Sequence, residues 1–85
     1  MLSKFKANPK GEEIRLLIAK KGYSIKGFSM KLNISYTYLS RIINNRVSIT
    51  PQMAKRISDA LKVNMNDIFL IGVFTNSETE VLYKQ

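Results

Sequence analysis

The chain has 85 residues, with 14 Lys plus Arg against 6 Asp plus Glu, a formal net charge of +8, and no Cys, His or Trp. This length suits one domain with a small core, and the missing residue types exclude a disulfide framework, a zinc finger, a Cys nucleophile and a Ser–His pair. The longest apolar run, Ile68 to Phe74 broken by Gly72, is far short of the roughly 20 residues that span a bilayer.

Residues 1–10 read as a short basic arm, with Lys4, Lys6 and Lys10, few apolar residues and Asn8-Pro9 as a breaker. The three Lys make this arm a candidate contact to a nucleic-acid backbone or minor groove. No apolar segment of the signal-peptide kind follows them, so a cytoplasmic protein without membrane attachment is expected. A first helix is predicted over 11–21: Ile14, Leu17 and Ile18 share one face, Glu12 and Glu13 fall in the first turn and Lys20 and Lys21 in the last. Gly22 is its stop. Ser24 caps a second helix whose apolar stripe is Ile25, Phe28 and Leu32, and Asn33 sits where a left-handed residue is wanted. Ser35 caps a third helix, Tyr36 to about Asn44, with Leu39, Ile42 and Ile43 facing inward. A turn of about three residues joins the second and third helices, which is the geometry of a helix-turn-helix.

A polar loop, Asn44 to Ser48, leads to Thr50 as a cap and Pro51 at the first helical position. Met53, Ala54, Ile57, Ala60 and Leu61 then repeat at helical spacing. A short fifth helix is expected around Met65–Phe69, with Ile68 and Phe69 closing the core. The tail, 70–85, reads as a strand or small hairpin: Ile68–Thr75 is β-branched and aromatic, Asn76-Ser77-Glu78 is a turn signal, and Glu80–Lys84 alternates. The expected fold is mainly α: an arm (1–10), a five-helix domain (11–69) and a tail (70–85) with no evident place in the helical core, which suggests a homodimer contact.

Charge layout points to the partner. From Ile14 to Ser58 there are nine basic residues and no acidic one. Polyanions are the natural partners of such a segment. An anionic membrane would favour a polybasic helix with a long apolar face, and no predicted helix has one. In a helix-turn-helix the second helix of the unit enters the major groove of double-stranded DNA. With Leu39, Ile42 and Ile43 inward, Tyr36, Thr37, Ser40 and Arg41 are candidate base contacts. Arg41 can donate twice to guanine, and Thr37 offers a methyl and a hydroxyl. Lys26, Ser35, Asn44, Asn45 and Arg46 are candidate backbone contacts, while Tyr38 reads as partly core. Clustered carboxylates and a Gly-rich phosphate loop are missing, so no catalytic residue, metal or cofactor is expected.

Residues Ser24 to Phe69, 46 of the 85, resemble the phage-repressor-like helix-turn-helix family, also called the XRE or lambda-repressor-like family. The resemblance is carried by Leu32 to Ile42, which follows a Leu-Gly-Val-Ser-type turn and a Leu-Ser-Arg-Ile-type recognition helix, and by Ile57, Ala60, Leu61, Val63 and Ile68-Phe69. It implies a compact five-helix domain, base contacts from Tyr36, Thr37, Ser40 and Arg41, and backbone contacts around Asn44 and Arg46. Ile25 stands where the family commonly has Gln, Ser29 where it has Ala, and Asn33 where it has Gly. Ser48 to Ala54 is similar to HigA-type antitoxins. Two functions follow as expectations: a small phage or mobile-element repressor acting as a dimer on an operator, or the antitoxin of a toxin–antitoxin pair. A protein partner, toxin or antirepressor, is compatible with either.

Overall fold

The computed structural model of the chain describes residues 3–75, with side chains for residues 5–72. In chain order the described elements are β1 (Ser3–Pro9), α1 (Gly11–Lys20), α2 (Ile25–Leu32), α3 (Tyr36–Ile43), α4 (Pro51–Leu61), α5 (Met65–Ile68) and β2 (Phe69–Thr75).

Side-chain caps start three of the helices. Ser24 Oγ accepts from the Gly27 N–H at 2.9 Å, Ser35 Oγ from Tyr38 at 3.0 Å and Thr50 Oγ1 from Met53 at 3.2 Å. Each cap is worth about 1 kcal/mol. Thr50 and Pro51 thereby have a local role in starting α4, independent of any antitoxin-like resemblance.

Four helices end on one motif. Gly22, Asn33, Asn45 and Lys62 lie in the left-handed region, with φ of 86°, 61°, 60° and 61°. In each case the next residue donates its N–H to the carbonyl five positions back: Tyr23 to Ile18, Ile34 to Ser29, Arg46 to Arg41 and Val63 to Ser58. This double closure satisfies carbonyls that a helix end leaves open.

The helical part of the core is the predicted set, and Ala7 and Ile49 join it from outside the helices. Ile14, Ile18, Phe28, Leu32, Leu39, Ile42, Ile43, Ala54, Ile57, Leu61, Ile68 and Phe69 are buried, and Leu17, Ile25, Tyr38, Met53 and Ala60 pack against them half-buried. Ser29 and Ser58 are also buried, and each hydroxyl donates to a carbonyl of the preceding turn, Lys26 at 2.7 Å and Ala54 at 2.8 Å. Ser29 therefore replaces the family's Ala without leaving an unsatisfied polar group. Arg56, on α4, donates to the Leu32 carbonyl at the end of α2.

Two expectations about the chain ends need correction. Residues 3–9 are not a free arm: β1 pairs antiparallel with β2, with Ala7 opposite Ile71 and Pro9 opposite Phe69. The tail strand therefore has a place in the domain, and its partner is the N-terminal segment. Ala7, fully buried, also exchanges both backbone bonds with Ile49 at 2.8 and 2.9 Å. Antiparallel strands alternate bonded and non-bonded pairs, so residues 5, 7 and 9 turn their polar backbone groups away from β2. Pro9, which has no N–H, occupies such a position. Lys10, of the other parity, donates its N–H to the Ile68 carbonyl at 2.9 Å. Periodicity could not show this, because β1 contributes one small core residue and its partner lies about sixty residues away. The alternating segment 80–84 lies outside the described residues.

Candidate nucleic-acid interface

α3 carries the proposed reading face. At about 100° per residue, positions 36, 37, 40, 41 and 44 fall within an arc of about 140°. Leu39, Ile42 and Ile43 are buried on the opposite side. Tyr36, Thr37, Arg41 and Asn44 are exposed, Tyr36 at 54%, and Ser40 is half-buried. Lys26, Ser35, Asn45 and Arg46 are exposed as well.

Two of these residues also have structural tasks. Ser35 caps α3 through its hydroxyl oxygen. Asn45, in its left-handed conformation, accepts from the Gly11 N–H at 2.9 Å through Oδ1 and so caps α1 from the loop after α3. The start of α1 is locked to the end of α3 at this point: a Cβ on Gly11 would lie 2.0 Å from the Ile43 carbonyl oxygen.

Arg46 stands out among the residues that close the four helix ends. Tyr23, Ile34 and Val63, at the equivalent positions, pack against the core, whereas Arg46 is exposed. A hydrophobic residue is usual there. The exception falls directly after α3, where an Arg can meet a phosphate.

Arg15 is a residue that linear reasoning missed. It is exposed on α1, and its Nη2 donates to Asn44 Oδ1 at 3.2 Å. Asn44 Nδ2 in turn donates to Ser40 Oγ at 3.3 Å. The separation of 29 positions between Arg15 and Asn44 hid this contact, since the charge of Arg15 resembles any other helix charge. Elsewhere the positive segment is partly occupied: Lys55 pairs with Asp59 at 3.1 Å, and Lys31 lies 5.9 Å from the Tyr23 ring centroid. A shallow cleft lined by Asn8, Pro9, Asn45, Arg46, Val47 and Ser48 adjoins the end of α3.

Among the described residues, no group of His, Cys, Asp and Glu could hold a metal ion, and no helix is long and apolar enough to cross a membrane. No curated protein and no solved structure matches the chain significantly. A family model described as helix-turn-helix matches residues 13–68, from the first turn of α1 to the end of α5. The chain belongs to the XRE, lambda-repressor-like, helix-turn-helix family of DNA-binding transcription regulators.

Proposed function

We propose that this protein is a sequence-specific repressor of the phage or mobile-element kind, which occupies an operator and blocks transcription. The observation that carries the reading is the outer face of α3, where Tyr36, Thr37, Ser40 and Arg41 lie on one arc with Asn44 and Arg46 at its end. Its surroundings are basic, with no acidic residue between Ile14 and Ser58. With α3 in the major groove, Arg41 meets a guanine edge, Thr37 and Tyr36 meet neighbouring bases or sugars, and Lys26, Asn44 and Arg46 hold the flanking phosphates.

Arg41→Ala tests this directly. Affinity for the selected operator should fall by roughly 1–3 kcal/mol, with preference relaxed at one base pair. Equal weakening on all sequences would make Arg41 a phosphate contact and remove the base-reading role.

A homodimer fits this mechanism, because two such units read half-sites about 34 Å apart. Leu70 on β2 and Phe5 on β1 are 51% and 62% exposed, on opposite faces of the strand pair, and either apolar side chain would gain cover from a second copy. Sedimentation at tens of micromolar should show a dimer, with and without DNA. A monomer under both conditions would remove this assignment.

A further inference from the structure

We propose that Arg15 is a positioning residue which, through Asn44, occupies one lone pair of the Ser40 hydroxyl and leaves its proton to be donated, so that α3 favours an acceptor on the base facing Ser40. The proposal rests on α3 lying in the major groove, as argued above.

The chemistry of the three groups sets the direction of each bond. A guanidinium has donors and no acceptor. The end of the Asn44 carboxamide that faces Arg15 must therefore be its oxygen, and the 3.2 Å contact is an Arg15 N–H donating to Oδ1. The opposite end, the NH2 group, then faces Ser40 Oγ at 3.3 Å and can only donate. Ser40 is thereby cast as acceptor toward Asn44, and its own proton remains to be given elsewhere.

The other helical serines differ. Ser29 and Ser58 donate to carbonyls of their own helices at 2.7 and 2.8 Å. Among the described residues no such bond is made by the Ser40 hydroxyl, although Ser40, like Ser58, stands three positions before the last residue of its helix. Ser40 is also half-buried, which limits competition from water. A positioned donor in the major groove distinguishes bases: guanine presents N7 and O6, adenine N7 and thymine O4 as acceptors, whereas cytosine presents its N4 amine.

The test uses the full chain and DNA sites selected from a random pool. Ser40→Ala locates the position that Ser40 reads. At that position the wild type should favour an acceptor-presenting base over cytosine by roughly 3- to 10-fold, the scale of one well-placed hydrogen bond. Asn44→Ala and Arg15→Met should each bring that ratio towards one at the same position. Their combination should do no more than either alone, because they act through one path.

Asn44→Asp is the sharper variant. Its carboxylate still accepts from Arg15, but it also captures the Ser40 proton, so Ser40 becomes the acceptor. Overall affinity should fall from the added negative charge, and the ratio should move in favour of cytosine. Thermal melting should show each variant folded at the assay temperature.

Uniform weakening by Arg15→Met and Asn44→Ala, with the wild-type ratio kept, would overturn the proposal and leave Arg15 a phosphate contact. An unchanged ratio in Asn44→Asp would overturn it as well. If Ser40→Ala and Arg41→Ala both weaken every sequence equally, the groove placement of α3 fails and the proposal falls with it. If Arg41→Ala relaxes its own base pair while Ser40→Ala relaxes none, only the role of Ser40 is refuted.

Discussion

Gly11→Ala should lower the thermal midpoint by roughly 12–24 °C, the equivalent of about 3 kcal/mol in a domain of this size. The added Cβ would lie 2.0 Å from the Ile43 carbonyl oxygen and 2.7 Å from its carbonyl carbon. Both are backbone atoms at the end of α3, so no side chain can rotate away to make room. The same displacement would strain the 2.9 Å bond by which Asn45 caps the Gly11 N–H. Total stability for a chain of 85 residues is on the order of 4–13 kcal/mol, so the loss is a large share of it. DNA binding should weaken even where the variant remains folded, because the end of α3 has to move. Gly22→Ala is the control. Gly22 has φ of 86° and nothing within 4 Å of the added Cβ, so only backbone strain of about 1 kcal/mol is expected. Similar midpoints for the two variants, measured by circular dichroism, would show that the close approach at Gly11 is not tight.

Deletion of residues 1–9 should abolish cooperative unfolding or lower stability by on the order of 3 kcal/mol or more. Ala7, Phe69 and Ile49 are all at most 2% exposed. Removing β1 uncovers the latter two and strips β2 of its ladder partner. A small domain has little reserve against such a loss. This expectation differs from that of a free arm, whose deletion would change only the salt dependence of DNA binding. A melting curve for the deleted protein within a few degrees of the full chain would restore the arm reading.

The helical part of the fold was legible because its signals are local. Ser24, Ser35 and Thr50 cap the helices that follow them, and Asn33 takes the left-handed turn expected of it. The apolar periods of α1 to α4 name most of the core, to which Ile68 and Phe69 were added as its closure. Lys62 was not legible, since its left-handed conformation is imposed by the closing bonds of α4 and not favoured by its side chain. The outward placement of the candidate DNA-contacting residues was legible for the same local reason: once Leu39, Ile42 and Ile43 face inward, helix geometry leaves Tyr36, Thr37, Ser40, Arg41 and Asn44 outside.

By itself, then, the sequence determined five helices, the side-chain caps of α2, α3 and α4, the buried helix faces and the outward side of α3, all set by patterns within a few residues. Only the tertiary structure decided what depends on distant parts of the chain meeting. It joined β1 to β2 and to Ile49, set Gly11 against Ile43, turned Asn45 into a cap for α1, and placed Arg15 beside Asn44. Each of these contacts joins residues about 30 or more positions apart, and their geometry is fixed by how the helices pack, which no local pattern encodes.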